Sequence, residues 1–116
     1  MANYMLLIYG DESEWAALTP DQLSAEMGAY FAYTEELAKA GVLVGGDELH
    51  PVATAKTLSV AGGKQKVVDG PFAETKETLG GYYMVNVESI EDALTWAAKC
   101  PGAKYGRIEV RPVVMR

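Results

Sequence analysis

One cysteine, Cys100, and one histidine, His50, are all that this chain offers of the residues most used in disulfides and metal sites. A lone cysteine excludes any internal disulfide. A chain without a disulfide framework fits a reducing compartment, so a cytoplasmic location is expected. His50 and Cys100 lie far apart in sequence and match no zinc spacing, so no metal is expected. Basic residues are also scarce: ten Lys and Arg stand against sixteen Asp and Glu, for a net charge of −6. Such a balance disfavours a phosphate backbone or an anionic lipid surface as partner, so no nucleic acid and no membrane is expected. The opening "MANYMLLIYGDE" has no basic leader, and its apolar run is too short for a signal peptide or a membrane span. No P-loop, nucleophile elbow or dinucleotide fingerprint occurs, and no cofactor is expected. Internal repeats and low-complexity tracts are absent as well.

What is present is enough for a core. The 116 residues are 49% hydrophobic and read as a single domain spanning 1–116, which can bury roughly 65% of its unfolded surface. "NYMLLIYG" is apolar on both alternating faces, with Tyr4, Leu6 and Ile8 on one and Met5, Leu7 and Tyr9 on the other. A strand of that kind is covered on both sides. After a loop from Gly10 to Leu18, Thr19, Pro20 and Gln22 form a helix start with a capping box. Leu23, Met27, Tyr30, Thr34 and Leu37 recur at helical spacing, Phe31 and Ala38 widen the stripe, and Gly41 ends the helix.

"VLVGGDEL" reads as a short strand with a glycine kink. Ala55 to Asp69 reads as a hairpin turning at Gly62 and Gly63. "GYYMVNV" is a further strand. Ser89 starts a second helix with Asp92 at the capping-box position and Ile90, Ala93, Leu94 and Ala97 facing inward. "YGRIEVRPV" closes the chain as a strand that sets Arg107, Glu109 and Arg111 against Ile108, Val110 and Pro112. The order is a ferredoxin-like split βαβ α+β sandwich with an inserted β-hairpin. Two helices cover only one face of such a sheet, yet Tyr82 and Met84 stand opposite Tyr83 and Val85. A second copy packed face to face, a homodimer, is the expected cover.

"DGPFAETKE" (Asp69 to Glu77), "LGGYYMV" and the closing "GRIEVRPV", with "AKAGVLVGGDELHPVATAKTL" before them, resemble the DGPF branch of the YCII-related family over nearly the whole chain. The resemblance implies a dimeric α/β-barrel of ferredoxin-like protomers. It also implies an association of some members with extracytoplasmic-function sigma factors. More distant relatives are similar to muconolactone-isomerase-like enzymes, which use a His and an Asp in a cavity. Those enzymes carry the histidine on the first helix, where Tyr30 stands here, whereas His50 lies in the "GGDELHPV" loop.

Asp69 has two readings. As a turn residue it accepts backbone N–H bonds from the residues that follow, with Gly70 and Pro71 as partners. As a catalytic residue it is a general base or orients His50, the one side chain whose ordinary pKa lies near neutrality. His50 is otherwise a loop residue held extended by Pro51. Glu74 and Lys76 either belong to a solvated charge run or hold a polar ligand, and Tyr30 and Tyr82 either fill the core or edge a ligand cavity. Arg107 and Arg111 pair with Glu109 or clamp a carboxylate. Two functions follow from these readings. One is a small-molecule enzyme that transfers a proton on a cyclic or enolisable acid, with His50 and Asp69 as its catalytic groups. The other is a non-catalytic ligand-binding or regulatory module, with the sigma-factor link that the resemblance implies.

Overall fold

The computed structural model describes residues 1–116. In chain order it holds β1 (Ala2–Gly10), α1 (Glu12–Ala16), α2 (Pro20–Lys39), β2 (Leu43–Glu48), β3 (Lys56–Ala61), β4 (Lys64–Asp69), β5 (Thr78–Val87), α3 (Ile90–Lys99) and β6 (Arg107–Pro112). Single 3-10 turns occupy Val52–Thr54 and Pro101–Lys104. β2, β5, β1 and β6, in that spatial order, form one antiparallel sheet, and β3 and β4 form a separate hairpin. The fold is α+β, consistent with the ferredoxin-like arrangement, and the hairpin lies between the first and last pairs of sheet strands. The segment expected to be a plain loop after Gly10 instead contains α1. Asp11 caps it, accepting hydrogen bonds from the Ser13 backbone N–H at 2.9 Å and the Ser13 hydroxyl at 2.6 Å.

Local sequence explains the ends of the two long helices. At the start of α2 the Thr19 hydroxyl accepts from the Gln22 N–H at 3.2 Å, and the Gln22 side-chain Oε1 accepts from the Thr19 N–H at 2.9 Å. This reciprocal pair satisfies two donors that an unfinished helix leaves open. Its far end is a Schellman cap, with Val42 N–H bonded to the Leu37 carbonyl and Gly41 N–H to that of Ala38. α3 starts on Ser89, which accepts from the Asp92 N–H at 3.3 Å. Asp92 does not return that bond, so half of the expected box is formed. No helix is long and apolar enough to cross a membrane.

The core lies on one face of the sheet, where Tyr4, Leu6, Val85 and Val87 meet Tyr33 and Leu37 of α2 and Ala93, Ala97 and Cys100 at α3. The buried stripe of α2 is turned relative to the sequence expectation. Tyr33 is buried, whereas Met27 and Ala38 are exposed and Phe31 is 71% exposed. Tyr33 has both an apolar body and a polar partner inside. Its ring meets Tyr83 edge-on at 5.3 Å, and its hydroxyl donates to the Trp96 carbonyl at 2.7 Å. In α3, Ile90 and Leu94 point outward, contrary to expectation, and the two alanines face the sheet. Small side chains let the helix backbone approach the strands closely. β6 also approaches tightly: a Cβ at Gly106 would lie 1.9 Å from the Tyr9 carbonyl oxygen, so only glycine fits there.

The opposite sheet face carries Met5, Leu7 and Tyr9 from β1 and Tyr82 and Met84 from β5, flanked by Arg107, Glu109 and Arg111 of β6. Met5 stands between Met84 and Arg111, and Leu7 between Tyr82 and Glu109. The chain folds into a slab 47 × 44 × 18 Å, thin enough for one sheet and one helix layer. No helix covers this second face.

Replacing Tyr33 with Phe removes the hydroxyl bond and leaves a carbonyl unpaired, a loss of about 1 kcal/mol in denaturant unfolding. Burial raises the pKa of both Tyr30 and Tyr33 above the ordinary tyrosine value. The protonated hydroxyl is therefore favoured in the folded state. Stability is full below the unfolded tyrosine pKa of about 10 and falls as pH rises past it, because the unfolded chain releases these protons first. The double variant Tyr30→Phe/Tyr33→Phe flattens that alkaline fall, as read by denaturation curves at stepped pH.

Candidate functional site

Antiparallel pairing places the C-terminal ends of β1 and β2 beside the N-terminal ends of β5 and β6. All the long connections therefore collect at one end of the sheet. They are the segment holding α1, residues 49–77 with His50 and the hairpin, and the 3-10 turn before β6. The Glu12 carboxylate accepts from the Val52 N–H at 2.9 Å and ties α1 to the segment following His50. The opposite end has only the tight connections around Gly41 and Glu88.

Two adjoining, solvent-open clefts occupy this loop-bearing end. One, of about 440 Å³, lies between Asp11 and Glu14 of the first helical segment, Thr75 and Lys76 of the DGPF loop, and Tyr105. The other, of about 510 Å³, opens onto the uncovered sheet face beside Tyr9, Ile108 and Glu109. Glu77 and Arg107 line both, and their side chains form an ion pair at 3.3 Å. Gly70 shapes the start of the loop: its φ of 94° lies where other residues are strained, and its N–H bonds the Ala55 carbonyl. Further on, the Thr75 hydroxyl donates to the Glu77 carbonyl at 2.6 Å. The Ser13 hydroxyl and N–H lower the pKa of Asp11 below the usual carboxylate range, and Lys76 adds to the effect. The cleft thus gathers three carboxylates, from Asp11, Glu14 and Glu77, with the Lys76 ammonium and the Arg107 guanidinium that Glu77 pairs.

Of the candidate site residues singled out from sequence, Lys76 and Arg107 line these clefts. His50 is exposed between β2 and the first 3-10 turn, and Glu74 is exposed in the DGPF loop. Asp69 ends β4 with its carboxylate 2.6 Å from the Lys56 ammonium, both side chains largely in water. The expected Asx turn is not formed. Lys56 takes the carboxylate, and Gly70 bends the chain without it. No hydrogen bond joins His50 and Asp69. Tyr30 faces the interior, half-buried, with its hydroxyl against Gly102 and beside Cys100. Burial also raises the Cys100 pKa, which keeps the thiol protonated. Tyr82 stands on the uncovered face, donating to Asp47 at 2.9 Å, and that bond raises its pKa. The expected strand-face pairing of Arg111 with Glu109 is present, while Arg107 is taken by Glu77.

Asp11, Glu14 and Tyr105 were not flagged by the sequence. The pattern Asp-x-Ser directly after an apolar strand was a capping signal for Asp11. Nothing local marks Glu14 or Tyr105, which reach the cleft through the packing of loops distant in sequence.

Residues 2–115 match the YCII-related domain. An uncharacterized protein of Rhizobium meliloti (strain 1021) is 36% identical over 114 residues, covering 97% of this chain and 92% of that protein. With the match running almost from end to end, the chain belongs to the YCII-related family.

Proposed function

We propose that this protein is a homodimer of ferredoxin-like protomers that binds a small carboxylate-bearing molecule at the loop-bearing end of its sheet. The observation that carries the binding reading is the convergence of Lys76 and Arg107 with Asp11 on one open cleft. The Lys76 ammonium, joined by the Arg107 guanidinium once a ligand carboxylate takes the place of Glu77, provides charge-assisted donors, and Asp11 and Glu14 accept from a ligand hydroxyl or amine. The adjoining cleft, which shares Glu77 and Arg107 with it, opens next to Tyr9 and Glu109 on the uncovered sheet face, so a second protomer there would cover that side of the site. Packing two such faces gives the α/β-barrel form and removes Met5, Leu7, Tyr82 and Met84 from water. A cytoplasmic metabolite is the fitting ligand class for this compartment reading.

The second reading, proton transfer by His50 and Asp69, is favoured by one observation: both lie on the segment that the topology brings to the cleft's end of the sheet. Glu74, Tyr30 and Tyr82 would then act only after rearrangement or through a partner copy. Ligand binding is the better supported of the two, because Asp11, Lys76 and Arg107 share one cleft whereas neither His50 nor Asp69 lines it.

By sedimentation analysis the wild-type protein is expected to run as a dimer, and Met84→Asp as a monomer, since a charge in the apolar centre of an interface is costly. A monomeric wild type would sink the dimer reading. For the ligand, a panel of small hydroxy and keto acids screened by calorimetry yields a binder whose affinity drops at least about tenfold in Lys76→Ala/Arg107→Ala, the loss of charge-assisted bonds. Affinity indifferent to both changes places the ligand elsewhere. Proton NMR of His50 separates the second reading. Its titration midpoint moves in Asp69→Asn if the two are coupled, and stays fixed if they are not.

A further inference from the structure

The hairpin β3–β4 is the part of the fold that its own protomer does least to hold. Every residue from Leu58 to Asp69 is exposed, and no other helix or strand packs along it. Cross-strand register puts Leu58 opposite Val67 and Val60 opposite Gln65, so Leu58, Val60 and Val67 share one face at 56–61% exposure. Lys64 and Lys66 share the other face with Ala61, Ser59, Thr57 and Val68, the one large apolar side chain there. At the root of the hairpin Phe72 stands 90% exposed. An isolated two-stranded hairpin is only marginally stable in water, and an amphipathic one held apart from its own core has its apolar face prepared for another surface.

We infer that this hairpin is an arm that lies on a second copy of the chain, with Leu58, Val60 and Val67 packed against the partner protomer. The inference rests on the homodimer reading and adds to it a contact outside the sheet faces. Area supports it. The protomer exposes 8159 Å², whereas a compact folded chain of 12.5 kDa exposes about 6,200 Å². The surplus is close to what one partner buries in an obligate dimer, roughly 1,000–2,500 Å². Shape agrees, with a radius of gyration of 16.1 Å against about 13 Å for a compact chain of this length. Charge agrees too. Lys56–Asp69 carries three lysines and one aspartate in a chain of net charge −6, so the arm is attracted to a second copy whose body repels body.

The test uses the full-length protein. Leu58→Thr, Val60→Thr and Val67→Thr are combined, because threonine keeps strand propensity and the changed positions are exposed in the protomer. Sedimentation across a dilution series is expected to show the dimer dissociation constant raised at least about tenfold, from the apolar area no longer buried. Hydrogen exchange of wild-type amides in β3 and β4 is expected to be slow in the dimer and to quicken on dilution. A dimer that Met84→Asp dissociates but the triple variant leaves intact, with fast exchange in the arm throughout, overturns the arm and spares the dimer. A wild type that is monomeric at every concentration overturns both.

Discussion

The packing of α2 and α3 on a single face of the sheet governs everything else in this protein. Tyr33 and Leu37 from one helix and Ala93 and Ala97 from the other close over Tyr4, Leu6, Val85 and Val87. That layer uses up the helices. The second face keeps Met5, Leu7, Tyr82 and Met84 at the surface, within a strand pattern that is apolar on both sides. A sheet with one covered face and one apolar open face is half of a larger packing unit. The proposed dimer follows from that imbalance.

Two hydroxyl contacts tie α2 to its neighbours inside the covered layer. Tyr33 gives its hydroxyl to the Trp96 carbonyl, and Thr34 shares a 2.7 Å bond with the Tyr83 hydroxyl. Bonds of this kind fix the rotation of α2 about its axis, because an apolar stripe alone tolerates small rotations and a hydroxyl with one acceptor does not. Phe31 is pushed to solvent by the same constraint. The interior tyrosines thus serve architecture, and the charged side chains gather at the end of the sheet. There loops from four strand ends meet, and Lys76, Arg107 and Asp11 face one another across an open cleft.

Much of this was legible in the chain itself. Period-two patterning identified β1, β5 and β6, the capping box marked the start of α2, and Gly62–Gly63 marked the hairpin turn. The YCII-related family was legible in Asp69–Glu77 and the closing strand. Less legible were α1, whose five residues are too few for a periodic signal, and the orientation of both long helices. Hydrophobicity ranks Leu94 above Ala93, yet the close approach of helix to sheet selects the alanine. Asp69 read as a turn residue because Asp-Gly-Pro is good turn chemistry, but Lys56 lies across the hairpin from it and captures its carboxylate. That pairing depends on β3–β4 register, which no short-range pattern reports.

The sequence by itself determined the elements, their order, the family and the presence of a second apolar sheet face, because these follow from local periodicity, capping and motif. Only the tertiary structure decided which charged residues share a cleft. Asp11, Lys76 and Arg107 are far apart along the chain and meet through strand pairing and loop packing, and a one-dimensional pattern carries no record of distances across a fold. It likewise decided that Tyr30 turns inward toward Cys100 and that the hairpin stands clear of its own core, since both depend on the space left after the helices have settled on the sheet.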